Sequence, residues 1–161
     1  MLYQALKKFV GIFFTVLNFL MVGNLPPFGC VCVIVEREGR FLVVEQTNGR
    51  VVFPGGFMRW RESPEQTLRR EGQEETGLLM REQGLIGYYP HIAKSIIEMS
   101  TLTLVYRGEV VSGTLKKSME GNPLWISAEE LLEKLSPEYH RIFEDYLHYS
   151  TEHHEIHIRP L

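Results

Sequence analysis

The chain has 161 residues, enough for one domain with its own core. With 44% hydrophobic and 23% charged residues its composition is globular, which excludes a disordered chain. A formal charge of −3 argues against a general nucleic-acid binder, which shows a basic excess, and leaves phosphorylated small molecules open because a metal ion can neutralise them locally.

The first element in chain order is an apolar run, FVGIFFTVLNFLMVG, at residues 9 to 23, within a stretch from residue 9 to residue 35 that carries no charge. Lys7 and Lys8 precede it. Asn24 and the Pro26–Pro27 pair follow, and should stop a helix and turn the chain. Thr15 and Asn18 interrupt the run and leave it short of the ~20 apolar residues of a membrane span. Lysines in front of such a span would export the rest of the chain, and no small-x-small cleavage site precedes Asn24. We therefore expect a cytoplasmic protein whose first helix is buried against its own domain or in a homodimer, with contact to a membrane surface as the alternative. Apolar almost all round from Phe9 to Val22, that helix needs cover on more than one side.

From Phe28 the pattern becomes strand-like: FGCVCVIVE, RFLVVEQ and RVVF, with turn signals at Glu38–Gly39 and Asn48–Gly49. Cys30 and Cys32 share one strand face, too close along the strand for a disulfide, and read as buried reduced thiols. Ser63, Pro64 and Gln66 form a helix start with a capping box, and Gly77 is placed to end that helix. Two longer strand candidates follow, LLMREQGLIGYYP and SIIEMSTLTLVYRGEVV. After them come the polar loop KKSMEGNP, a short strand LWIS, a helix capped by Ser127, and a final helix through PEYHRIFEDYLHYS. Strands and helices interleave, so the fold class is α/β or α+β with a mixed sheet.

The helix from Pro64 to about Thr76 carries Glu71, Glu74 and Glu75 in its last turns, where the dipole disfavours anions by about 0.3–1 kcal/mol each. At roughly 100° per residue, Glu71 and Glu75 lie about 40° apart and Leu68 only about 20° from Glu75, so the carboxylates border the face that packs on the sheet. A destabilising cluster in that position needs a compensating cation. A hard divalent ion with oxygen ligands, Mg²⁺ above all and Mn²⁺ as a substitute, meets the need.

The full spacing is Gly56, five residues, Glu62, seven residues, then Arg70-Glu71-Gly72-Gln73-Glu74-Glu75-Thr76-Gly77-Leu78. It resembles the Nudix box, with the Phe53–Gly55 lead typical of that family. One position departs: Gly72 stands where the family has a larger aliphatic residue, which costs about 1 kcal/mol of helix propensity and leaves a packing site for a bulky neighbour to fill. The resemblance covers roughly residues 28 to 147. It implies an α/β/α sandwich around a mixed sheet, here with an additional apolar helix over residues 1–25, a hydrolase domain over 26–150 and a tail over 151–161.

The resemblance further implies Mg²⁺-dependent hydrolysis of a phosphoanhydride bond in a nucleoside diphosphate linked to another group. Glu71, Glu74 and Glu75 match the metal-holding glutamates, and the carbonyl of Gly55 often supplies another ligand. Arg70 and Glu62 match the pair that orients this cluster. Glu120, in the loop before the Trp125 strand, corresponds to a carboxylate that some members use as a ligand or general base; Glu98 is a weaker candidate. Trp60 and Tyr88 are candidates for stacking on a nucleobase.

None of the side motifs that separate the subfamilies is found. The expected substrate is thus an ADP-ribose-like sugar nucleotide or a nucleoside triphosphate, with a non-catalytic nucleotide-binding module of the same fold as the rival reading. His153, His154 and His157 are read as part of a charged tail strand and not as metal ligands.

Overall fold

The structure is a computed structural model that describes residues 2–156, with side chains from Lys8 to Thr151. Helix α1 spans Leu2–Leu20, and the strands are β1 (Phe28–Arg37), β2 (Arg40–Glu45), β3 (Val51–Val52), β4 (Gly55–Phe57), β5 (Leu78–His91), β6 (Thr101–Gly113) and β7 (Asn122–Ser127). Helix α2 (Pro64–Thr76) lies between β4 and β5; α3 (Ala128–Lys134), a 3-10 turn (Pro137–Tyr139) and α4 (His140–Ile156) close the chain.

The sheet is mixed, as expected. Its path runs β3-β2-β1-β6-β5, with β4 paired to β1 and β7 paired to β2. Strand β1 runs parallel to β6, and the remaining pairs are antiparallel. The Glu38–Gly39 turn joins β1 to β2 with both residues at positive φ, and Gly49 adds a third such position in the next hairpin.

Alternation along β1 builds the two cores of an α/β/α sandwich. Val31, Val33 and Val35 face α2 with Leu68, Leu78 and Met80. Cys32 and Ile34 face the other way, onto Phe41, Phe53, Phe143 and Tyr146 beneath α3 and α4. Both thiols are free, Cys32 is buried, and burial pushes the Cys30 thiol up to about 11.

Two expectations are corrected. The strand expected from Ser95 begins at Thr101, because residues 93–100 close into a turn held by their own side chains. Ser100 Oγ accepts from the Ala93 amide, a Glu98 carboxylate oxygen from the Lys94 amide, and the Ser95 carbonyl from the Glu98 amide. Glu98 therefore engages the backbone of a loop and does not lie in a strand. The expected tail strand is overturned where the structure describes it, since α4 continues to Ile156; the side chains of His153 and His154, and His157 altogether, lie outside the described residues.

Among its described side chains, from Lys8 onward, α1 packs against its own domain along one side. Phe14 meets the Phe28 ring edge-to-face at 4.6 Å, and Thr15 donates to the Ile96 carbonyl. Phe9, Ile12, Phe13, Val16, Phe19 and Leu20 form an exposed stripe at helical spacing. No described helix is long and apolar enough to cross a membrane.

Candidate active site

Helix α2 begins and ends as its sequence dictates. Ser63 and Gln66 make the reciprocal capping box, and Gly77 adopts the left-handed conformation at φ 78° while its amide closes on the Gln73 carbonyl. Glu71 and Glu75 fall on the covered face beside Leu68, both at under a tenth of their exposure in an open chain.

Gly56 explains where the Glu71 carboxylate lies. A β-carbon at position 56 would stand 2.4 Å from Glu71 Oε1, so a residue with any side chain would occupy the carboxylate's seat. The missing aliphatic group at Gly72 is supplied from the sheet. The Met80 thioether occupies the space, 3.0 Å from where a β-carbon would be, and is itself buried.

Arg70 organises the cluster. Its Nε and Nη2 clasp the two oxygens of Glu62 at 2.7 and 2.9 Å, Nη1 donates to Glu71 at 2.7 Å and to Glu74 at 3.2 Å, and Nη2 also reaches the Phe57 carbonyl at 2.9 Å. Glu62 accepts further bonds from the Arg59 amide and Thr67 hydroxyl. The Arg70 fork, followed by that amide, holds the Glu62 carboxyl down to about 2. The pairing drawn from the box is thus present as a bidentate clasp.

Glu75 has different surroundings. Its Oε2 accepts from the Gly55 amide at 3.0 Å, so the amide of that glycine faces the carboxylate. Glu120 comes back from its loop to face Glu75, bringing together two carboxylates distant in sequence. Burial first, and Glu120 next, push the Glu75 carboxyl up to about 9. Two ionised carboxylates cannot share this space without a proton or a cation between them.

Among the described residues, no three carboxylate, thiol or imidazole groups converge as a metal cage. The reason is visible in the partners: Arg70 draws Glu71 and Glu74 together, Arg59 holds both oxygens of Glu74 at 3.2 Å, and Glu75 turns to Glu120. Hard oxygen donors crowded around a buried like-charged pair nonetheless fit a divalent cation.

Trp60 and Tyr88 are not gathered into this cluster. Trp60 is 89% exposed in the turn after β4, with the Arg61 guanidinium 5.9 Å above its ring, and Tyr88 is 69% exposed on β5. Two participants lacked a sequence signal. Arg59 was legible only as a basic residue before Glu62. Tyr139, on the 3-10 turn, packs against the core beside Phe53, and burial first raises its hydroxyl above the ordinary range, with Glu75 among the charges that add to the effect.

The sequence model of the NUDIX domain matches residues 26–146. This chain belongs to the Nudix family. A MutT-like protein of Streptomyces ambofaciens is 30% identical, with 71% of this chain and 74% of that protein aligned. An ADP-ribose pyrophosphatase of Methanocaldococcus jannaschii is 27% identical over 79% of this chain and 77% of its own length. Among solved structures, a Nudix hydrolase from Nitrosomonas europaea superposes with a TM-score of 0.67 at 27% identity, covering 75% of this chain and 88% of that one. The class of reaction follows from membership: the protein is a Nudix pyrophosphohydrolase. Helix α1 lies before the matched Nudix domain.

Proposed function

We propose that this Nudix protein hydrolyses a phosphoanhydride bond in a nucleoside diphosphate derivative, an ADP-ribose-like sugar nucleotide or a nucleoside triphosphate, with Mg²⁺ as its ion and Mn²⁺ as a substitute. The observation that carries the reading is the buried Glu75 carboxylate facing Glu120 at the end of a helix that also presents Glu71 and Glu74. These four side chains, with the Gly55 backbone, are the groups that would hold the ion. Bound there, a divalent ion supplies charge neutralisation for the diphosphate and acidity for an attacking water.

The chain's own residues do the rest. The Gly55 amide fixes Glu75, while Arg70, locked by Glu62, sets the directions of Glu71 and Glu74. Glu120 stands on the loop side, where it can take up a proton as an approaching water loses one. Trp60 and Tyr88 remain our candidates for contact with the outer parts of the substrate, in keeping with their exposure.

The exposed stripe on α1 supports a second proposal, a homodimer through this face, with a membrane surface as the competing occupant. We place the protein in the cytoplasm, where nucleotide substrates of this class are found.

The test of the main reading is nucleotide or phosphate release from nucleoside triphosphates, ADP-ribose, NADH, diadenosine polyphosphates and nucleotide sugars. It is run with and without Mg²⁺ or Mn²⁺, beside Glu74→Gln and Glu75→Gln. Hydrolysis that needs the ion and is lost in both variants upholds the reading. Ligand binding with no turnover across the panel replaces it with a non-catalytic nucleotide-binding module.

A further inference from the structure

A recess of about 650 Å³ opens between α1, the segment leading into β1, and the 90–102 segment that joins β5 to β6. Its size is that of a small-molecule site. One wall belongs to α1, before the Nudix domain, so the general chemistry of the box does not account for it.

The recess stands in a definite relation to the carboxylates. Its floor includes Phe28, Thr101 and Leu102, at the paired beginnings of β1 and β6. Further along β1, Val31 and Cys32 pair with Gly56 and Gly55, the two glycines that seat Glu71 and Glu75. From Phe28 to Cys32 is about 13 Å at roughly 3.3 Å per strand residue. The Phe14, Phe28 and Phe57 rings touch in series between the two places, and the Phe57 carbonyl holds Arg70. A diphosphate at the carboxylates thus lies outside the recess, and a nucleoside attached to it would extend along β1 toward Phe28.

The lining combines apolar walls with polar groups, a mixture that suits a nucleobase. Phe14, Leu25, Pro26, Pro27, Phe28 and Leu102 make the walls apolar and rigid. Lys94 and Glu98 oppose each other in sign, and Glu98 is already engaged by the Lys94 amide. Thr15, Asn18, His91, Ser95, Ser100 and Thr101 add polar groups to the lining, and a nucleobase brings a π face for the apolar walls and polar edge atoms for these. Asn18 stands at the wall with Oδ1 taken by the Leu25 amide, leaving Nδ2 as a donor.

The wall is preformed, because Gly11 lets α1 approach so closely that a β-carbon there would fall 2.3 Å from the Ile97 carbonyl oxygen. The Thr15–Ile96 hydrogen bond fixes the same contact. We propose that this recess receives the nucleobase of the substrate, with Phe14 of α1 and Phe28 as specificity-determining contacts. The proposal rests on the reading of the chain as an enzyme of nucleoside diphosphate derivatives, and names the part of the substrate that α1 reads.

The experiment uses the full chain with Ala93→Trp, which fills the recess from the loop side, and Phe14→Leu, a milder change that keeps the wall apolar. Calorimetry without added metal measures binding of AMP, α,β-methylene-ADP and ribose 5-phosphate. Kinetics with Mg²⁺ compare ADP-ribose with 5-phosphoribosyl 1-diphosphate, which has a diphosphate and no base. Folding is checked by thermal melting, and Phe14→Leu carries the test if Ala93→Trp melts early.

The expected result is a Kd for AMP and α,β-methylene-ADP weakened about tenfold, the size of one base-stacking contact, with the ratio of KM for ADP-ribose to KM for the base-free substrate rising by the same factor. Equal effects on base-bearing and base-free ligands, or none on either, overturn the proposal. So does wild-type protein that binds none of the base-bearing probes. Binding that responds to the variants without turnover of any substrate upholds the recess and refutes the enzymatic reading; turnover with an unmoved KM ratio does the reverse.

Discussion

Glu62 and Glu75 answer to opposite surroundings, although the last turns of α2 organise both. Glu62 is held at about 2, below its ordinary 4.5, by Arg70 first. A lowered folded-state value contributes stability fully above about pH 4.5 and loses it as pH falls through 2. Wild type should therefore melt above Glu62→Gln at neutral pH, with the difference shrinking between pH 4.5 and 2; a difference constant with pH would mean that the clasp adds nothing through its charge. For Glu75, burial and Glu120 raise the carboxyl to about 9. At neutral pH the folded chain must therefore hold a proton there at a cost in stability, and an amide has no such cost. Glu75→Gln in chelator should melt no lower than wild type, while Mg²⁺-supported turnover falls roughly 10²–10⁴-fold. A variant that melts lower in chelator would show that Glu75 serves mainly to hold the fold. At this scale the box spacing made Glu62, Arg70 and the glutamates legible, because their registry is local to one loop and one helix. Arg59 and Tyr139 were not, since nothing in a single basic residue or a distant tyrosine tells which carboxylate it will approach.

At the scale of elements, α2 was readable to the residue because its stop signals are short-range: a serine cap, a proline, a left-handed glycine. What filled the space over Gly72 was not readable, since Met80 arrives from the next strand. Gly72→Ala should be neutral or slightly stabilising in urea: helix propensity gains up to about 1 kcal/mol, and a flexible thioether can yield a few tenths of an ångström. Gly72→Ile should lose about 1–3 kcal/mol by overpacking. Adding Met80→Ala to Gly72→Ile should recover part of that loss, and failure to recover any would mean that the two sites do not share volume. Gly56→Ala belongs to the same scale. Its β-carbon would displace the Glu71 carboxylate, so turnover should collapse while circular dichroism and melting change little. The strand expected from Ser95 failed for a comparable reason, because apolar periodicity does not register a turn fastened by Ser95, Glu98 and Ser100.

For the whole molecule, the mixed sheet with interleaved helices followed from alternating strands and amphipathic helices, and the sandwich from the resemblance to the family, whereas the side on which α1 packs was not legible. A helix apolar all round reads as buried, yet the fold covers it on one side and leaves Phe9, Phe13, Val16 and Phe19 outward. We expect sedimentation to give a dimer for wild type and a monomer for Phe13→Glu with Phe19→Glu. A wild-type monomer that floats with anionic vesicles would give the stripe to a membrane instead. The two cysteines carry a different consequence. Cys32 is 2% exposed in the core beneath α4, Cys30 is half-buried one turn of the strand pleat away, and the chain has no other cysteine. The buried Cys32 thiol reacts only when the structure around it opens, whereas Cys30 is partly accessible and labels first. The rate at which a thiol reagent labels Cys32 is thus a native clock for breathing of the central strand, and a bound ligand that slows it reports its own arrival without any engineered label.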